Sequence, residues 1–377
     1  MRIGVLQEPA RGERRVALVP ESVARLVKAG HELLVEEDAG AAAGFSAAAY
    51  EKAGARTVAS RSEVLRDAEL VVCVRSLLDA DVALLREGTV VIGLLRPLNA
   101  PDAMRALADR GVRALAMELV PRITRAQKMD ALSSQATVAG YRAVLIAAAR
   151  HPKFFPMLMT AAGTVPPAHV LVLGAGVAGL QAIATARRLG AIVHGFDIRP
   201  AVKDQVESLG AKWVGMELQE AEGAGGYAKE VSEETQRREH EHLHRLVTDA
   251  DVVITTAQIP GRPAPVLITT DMVDAMKVGA IIVDLAADTG GNCALTRPDE
   301  DVRHGPALIL GPTDLAAGMP IHASQMYSRN IEALIQHISD NGVLKLERED
   351  EIVRECLVTD GGDVVHPRVN AIVAQAR

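Results

Sequence analysis

The sequence has 377 residues, 49% hydrophobic, 24% charged and only 2% aromatic, with a formal net charge of -7. That length suits about two domains, and the balance excludes a disordered chain. The negative charge, with no Lys/Arg stripe interleaved with aromatics, excludes a nucleic-acid surface.

Cores so poor in aromatics have to be filled by Val, Leu, Ile and Ala, the usual content of parallel sheets covered by helices. Residues 3–6 read as a strand and 20–29 as a helix closed by Gly30. The same punctuation repeats, with strands expected at 32–35, 70–74, 90–93 and 113–116 and helices ending near Gly54, Gly88 and Gly111. Parallel strands need such crossovers. Ser133 and Ser134 are placed to cap a long helix, apolar at Val138, Tyr141, Val144, Leu145 and Ala148, that bridges two domains. After Pro166-Pro167 a second alternating series runs through strands at 170–173, 192–193, 252–255, 281–285 and 308–310. A helix over 324–339 returns the chain to the first domain, and the tail after Gly342, with a hairpin turn at Asp360-Gly361-Gly362, completes it. The expected fold class is α/β: two doubly wound Rossmann-like domains with parallel sheets, separated by a cleft. Residues 1–132 plus 325–377 would form the discontinuous N-terminal domain and 133–324 the second.

The chemistry concentrates in GAGVAG, Gly174 to Gly179, between an apolar strand and a helical run over 177–189. GxGxxG alone is a weak signal, but strand before and helix after are the context it requires. Gly174 permits the tight turn, Gly176 lets a pyrophosphate approach the backbone, and Gly179 lets the helix pack on the strand. Val177 and Ala178 then supply free N–H groups at the positive end of the helix dipole. Asp197 ends the next strand at the spacing at which an acid accepts the adenosine ribose hydroxyls, followed by Ile198 and Arg199. An acid there repels a 2′-phosphate and favours NAD over NADP, a preference that Arg199 would soften. Gly174→Ala or Gly176→Ala should each abolish NADH binding in a folded chain.

Several segments resemble the NAD(H)-binding component of the proton-translocating transhydrogenases, relatives of alanine dehydrogenase. They are RVALVP from Arg15, PRITRAQKMDALSSQ from Pro121, MTAAGTVPPAHVLVLGAGVAGLQAIATARRLGA from Met159, GGYAKE from Gly225, TTAQIPGRPAPVLIT from Thr255 and DLAADTGGNC from Asp284. The resemblance implies hydride transfer between NADH on this chain and NADP+ on a partner component. It places Arg122, Gln127, Asp130 and Ser133 at the nicotinamide, with Asp130 fixing Arg122. It makes Tyr227 the tip of a lid, and Ala257 and Gln258 complete the candidate cofactor set. It also implies a homodimer, a separate NADP(H)-binding component, and a membrane-spanning subunit that couples the reaction to proton movement.

No apolar run approaches the ~18 residues a membrane span needs, and the N-terminus lacks a signal-peptide layout. The expectation is a cytoplasmic chain, held at the inner face of the membrane by its partners. Cys73, Cys293 and Cys356 form no CxxC pair and fit a reducing compartment. His240-Glu241-His242-Leu243-His244 contains HExxH, but its polar setting and the lack of a third ligand argue against metal. Asp284 and Asp288 read as turn or cofactor contacts, and His304, His322 and His366 as surface or capping residues.

The alternative is an alanine dehydrogenase-type enzyme, in which a lysine and a histidine would stand where this chain has Arg75 and Arg96. An arginine can bind a carboxylate but does not donate protons near neutrality. A non-catalytic NAD sensor would not need the Arg122 to Ser133 cluster.

Overall fold

The computed structural model describes residues 1–215, 233–259 and 261–375. It divides into two compact units, Met1–Gln135 with Ala316–Arg377, and Ala136–Leu315.

In the first unit β1 (Arg2–Val5), β2 (Glu32–Glu36), β3 (Arg56–Val58), β4 (Leu70–Arg75), β5 (Val90–Leu94) and β6 (Arg113–Ala116) lie parallel in the order β3-β2-β1-β4-β5-β6. This is the order of a doubly wound sheet, reversing direction beside the first strand. β4 is buried through five residues, as a strand covered on both faces should be. Helix Pro20–Lys28 opens with proline, whose missing N–H costs nothing at a helix start, and lays Val23 and Leu26 into the core.

The long helix Ala131–Arg150 begins in the first unit and ends in the second. Its start is capped by Asp130, not by Ser133 or Ser134: Asp130 accepts from Ser133 N–H at 2.9 Å and from the Ser133 hydroxyl at 2.6 Å. A carboxylate both accepts the free amide and complements the helix dipole, so it outcompetes a serine hydroxyl for that role.

In the second unit a hairpin of β7 (Leu158–Thr160) and β8 (Gly163–Val165) precedes the sheet. The sheet itself is built from β9 (His169–Leu173), β10 (Ile192–Phe196), β11 (Lys212–Trp213), β12 (Val252–Thr255), β13 (Ala280–Asp284), β14 (Asp301–His304) and β15 (Ala307–Leu310). Its order is β11-β10-β9-β12-β13-β15-β14, with only β14 antiparallel. It again switches direction at its first strand. Apolar clusters fill both faces, one around Ala143, Val172, Ile183 and Val283, the other around Leu173, Val247, Val253 and Ile282.

Helix Pro320–His337 and the remaining chain complete the first unit. A small hairpin, β16 (Ser339–Asp340) with β17 (Val343–Leu344), leads to β18 (Leu357–Asp360) and β19 (Asp363–Val364), which extend the first sheet antiparallel beyond β6. Both sheets are thus parallel in their centres and antiparallel at one edge. The helix is unusually polar for a buried element: Ser324 and Ser328 accept from the Val16 and Val19 amides, and Tyr327 donates to the Cys73 carbonyl. It thereby fixes the RVALVP segment, which lies outside any strand.

Candidate functional site

β9 delivers the glycine loop to the point where the second sheet changes direction. Gly174 has φ +95°, a left-handed conformation that glycine adopts freely, and a Cβ there would lie 2.6 Å from Thr256 Oγ1. Gly174→Ala therefore strains the loop itself and does not separate binding from folding, contrary to the sequence expectation. A Cβ on Gly179 would lie 1.8 Å from the Gly174 carbonyl oxygen, so helix Val177–Arg188 presses directly on its own approach turn. Gly176, at the start of that helix with φ -78°, is different: a Cβ there meets nothing within 4 Å. The space over Gly176 is open, and Val177 beside it is 42% exposed, so the first amides of the helix face solvent instead of protein. Gly140, which carries no sequence signal of its own, lies behind the loop, where a Cβ would come 2.1 Å from the Ala178 carbonyl oxygen.

Asp197 follows β10 directly and is 6% exposed. Its carboxylate accepts from Ala175 N–H at 2.8 Å and from the Arg199 amide at 2.9 Å, joining strand end to glycine loop. Arg199 folds back over it, Nε at 2.9 Å from one oxygen and Nη2 at 2.8 Å from the other. Burial alone would push this carboxyl up, but the Arg199 bonds and the two amides hold it below the usual range. Ile198 packs against the core beneath.

The other side of the crossover is formed by the residues after β12. Thr256 donates to the Gly174 carbonyl at 3.0 Å. Ala257 is gripped from both sides by Asn292, whose Oδ1 accepts its N–H at 3.0 Å and whose Nδ2 donates to its carbonyl at 2.9 Å. Gln258 is exposed and donates to the Leu285 carbonyl at 3.0 Å. Asn292 is in turn set by Asp284, fully buried, which accepts from the Thr255 and Thr296 hydroxyls and from the Ala286, Asn292 and Cys293 amides. Asp284 thus forms the turn, which leaves no free oxygen for acid–base work. Nothing in the sequence points to Asn292, because its role depends on a loop 35 residues away.

The second candidate cluster lies in the first unit, on the turn Thr124–Met129 and its flanks. Arg122 and Gln127 are exposed, and Asp130 binds Ser133 as described. Among the described residues Asp130 makes no bond to Arg122, so the expected fixing of that arginine is not present: the carboxylate is taken by the helix start. Two contacts hold the turn. Asn330 Nδ2 donates to the Lys128 carbonyl at 2.8 Å, and Arg125 Nη1 meets Asp350 at 2.6 Å.

Tyr227 and the GGYAKE segment lie outside the described residues. The HExxH histidines sit on helix Glu233–Asp249, where His242 meets the Val214 carbonyl at 2.7 Å and His244 lies 3.8 Å from Asp271. No group of three His, Cys, Asp or Glu among the described residues is arranged to hold a metal ion. His366 is 4% exposed with an unpartnered Nδ1, so it is a buried residue and not a surface one; burial pushes its pKa down. No helix among the described residues is long and apolar enough to cross a membrane.

Arg75, where the alternative function would need a lysine, donates from Nε to Glu13 at 2.9 Å. Glu13 also takes both Nε and Nη2 of the buried Arg15, at 2.8 and 2.6 Å. The two guanidinium groups therefore share one internal carboxylate.

Two family models match the chain: alanine dehydrogenase/PNT, N-terminal domain, over residues 4–139, and its C-terminal domain over residues 143–367. An NAD(P) transhydrogenase subunit alpha chain of Rhodospirillum rubrum is 46% identical over 378 residues, covering 97% of this chain and 98% of its own. The solved structure of a transhydrogenase from Sinorhizobium meliloti matches with a TM-score of 0.85 at 40% identity, over 97% of this chain and 99% of that one. An L-alanine dehydrogenase structure matches equally in shape, TM-score 0.86 over 100% of both chains, at 27% identity. Shape does not separate the two activities, but both lie within one family. The chain belongs to the alanine dehydrogenase/PNT family.

Proposed function

We propose that this chain is the NAD(H)-binding component of a proton-translocating nicotinamide nucleotide transhydrogenase. The observation that carries the reading is the open space over Gly176, at a solvent-facing helix start, with the buried carboxylate of Asp197 tied to the same loop. That arrangement fits a dinucleotide. The amides of Val177 and Ala178 meet the pyrophosphate, Gly174 and Gly179 bring strand and helix close enough to present them, and Asp197 receives the ribose. Ile198 and Arg199 border the ribose, Ala257 and Gln258 the opposite side, and Tyr227 closes over the nucleotide.

A bound nicotinamide supplies the hydride donor or acceptor. Such a transfer calls for no protein acid or base, only alignment of two rings and exclusion of water. Arg122 and Ser133 donate to the carboxamide and so orient the ring. Asp130 holds Ser133 in place, and Gln127 reaches toward the partner's NADP(H). Sequence identity favours this reading over the dehydrogenase, 46% against 27% for the two relatives described. So does the engagement of Arg75 by Glu13.

The chain works with an NADP(H)-binding component and a membrane-spanning subunit, and resides in the cytoplasm at the inner face of the membrane. It forms a homodimer: Met157 and Met159, 56% and 77% exposed, provide apolar surface of the kind a second copy covers. Mixing the purified chain with the NADP(H)-binding component of a transhydrogenase should yield hydride transfer from NADH to an NADP analogue that neither shows alone. Oxidation of NADH by pyruvate and ammonia with the chain alone would instead establish the dehydrogenase.

A further inference from the structure

Asp197 is the residue that should receive the adenosine ribose, yet its acceptor positions are already in use. A carboxylate offers about four lone-pair sites. Here the Ala175 amide, the Arg199 amide, and Nε and Nη2 of the Arg199 side chain all point at it, between 2.8 and 2.9 Å. The two amides belong to the backbone of the loop and cannot leave without unfolding it. The guanidinium is the removable donor: it ends a flexible side chain that is 28% exposed, against 6% for its partner. A vicinal diol seeking both carboxylate oxygens therefore has to displace Arg199.

The same pairing alters what the site excludes. A bare aspartate repels a 2′-phosphate, whereas an aspartate covered by a forked guanidinium forms a neutral pair with a cation at its rim.

We propose that Arg199 is the specificity-determining residue of this subsite, a latch on Asp197 that ribose hydroxyls displace and that a 2′-phosphate engages. This deepens the NAD(H) reading and rests on it. The latch lowers affinity for the unphosphorylated nucleotide, because the fork is broken on binding. It raises tolerance of the phosphorylated one, because the guanidinium meets the phosphate directly. Discrimination between NADH and NADPH is thus set by the pair, and is weaker than Asp197 alone would impose.

The test measures dissociation constants of AMP, adenosine 2′,5′-bisphosphate, NADH and NADPH for the full chain by calorimetry, in wild type, Arg199→Met and Arg199→Lys. Arg199→Met should bind AMP and NADH more tightly and the two 2′-phosphorylated ligands more weakly, widening the ratio by about tenfold or more, the worth of one charge-assisted hydrogen bond. Arg199→Lys keeps the charge without the fork, so it should tighten AMP and NADH while retaining most of the tolerance for the 2′-phosphate. An unchanged ratio in Arg199→Met, with NADH binding intact, overturns the proposal. If Arg199→Met does not fold, weaker AMP binding in Arg199→Lys overturns it equally. A wild-type chain that binds neither AMP nor NADH sinks the dinucleotide reading itself, which is a different outcome from an Arg199 variant that behaves like wild type.

Discussion

Glu8 and Glu13 are five positions apart, yet their surroundings push them in opposite directions. Burial pushes the Glu8 carboxyl up to about 7, more than the donated amides of Val74 and Arg75 bring it down. Glu13 is also penalised by burial, but its bonds to Arg15 and Arg75 carry it down to about 2. The raised value makes the folded chain hold a proton that the unfolded chain releases between about pH 4.5 and about 7. Ionisation of Glu8 therefore costs stability as pH rises through that window. Glu8→Gln should gain melting temperature relative to wild type as pH is raised across it; a difference that stays flat with pH would contradict the assignment. None of this is legible in the sequence, because Glu8 and Glu13 look like ordinary surface acids until Val74, Arg75 and Arg15 are brought to them. Asp197 is legible, since its role follows from a fixed distance after a glycine motif on the same strand–helix–strand unit. Its occupation by Arg199 is visible only as two neighbouring letters.

Elements with a strong period agree closely between sequence and structure. The strands at β4, β5, β6, β9, β12 and β15 and the helix after the glycine loop match to within a residue or two, because apolar runs bounded by glycine leave few alternatives. The hairpin turn at Asp360 to Gly362 also forms, between β18 and β19. Short pieces escape: β3 has three residues, β11 two, and neither carries a period. Capping of the long helix is ambiguous in the sequence, since Asp130 and Ser133 are both good caps and only the fold decides which carboxylate meets which amide. Close approach of elements is invisible to periodicity. Gly140 sits in mid-helix, where alanine is normally better by about 1 kcal/mol. Here the Ala178 carbonyl would lie 2.1 Å from the added Cβ, so Gly140→Ala should destabilise the chain by about 1–3 kcal/mol and displace the glycine-loop helix. A variant as stable as wild type in urea, with unaltered NADH affinity, would show that the helices part without consequence. Asp350 is the element-scale tie of the tail: it caps helix Glu351–Cys356 through the Ile352 and Val353 amides and grips Arg125 on the turn beside Gln127. Asp350→Ala should cost about 1 kcal/mol as a lost cap, and should lower hydride-transfer turnover while leaving NADH affinity unchanged. Full turnover in the reconstituted enzyme would disconnect the tail from that turn.

At the scale of the molecule, two copies of one architecture do different work. Each sheet reverses direction beside its first strand, and ligands of such sheets bind beyond the carboxyl ends of the strands at that reversal. In the second unit the reversal is lined by the glycine loop, Asp197 and Thr256. In the first it is closed by internal pairing of Glu13 with Arg15 and Arg75, leaving no open glycine turn among the described residues. The alternation of strand and helix announces two such sheets from composition and spacing alone. The strand order and the antiparallel edges depend on contacts across more than two hundred residues, such as Thr359 bonding to Ala114 N–H. Calorimetric titration of NADH into the purified chain and its Gly176→Ala variant tests the central claim most directly. The open space at Gly176 means the variant should melt like wild type. The account predicts one NADH per wild-type chain and loss of about tenfold or more in affinity for the variant, a change of about 1.4 kcal/mol or greater. Absence of binding to the folded wild-type chain, or equal binding by both, would contradict it.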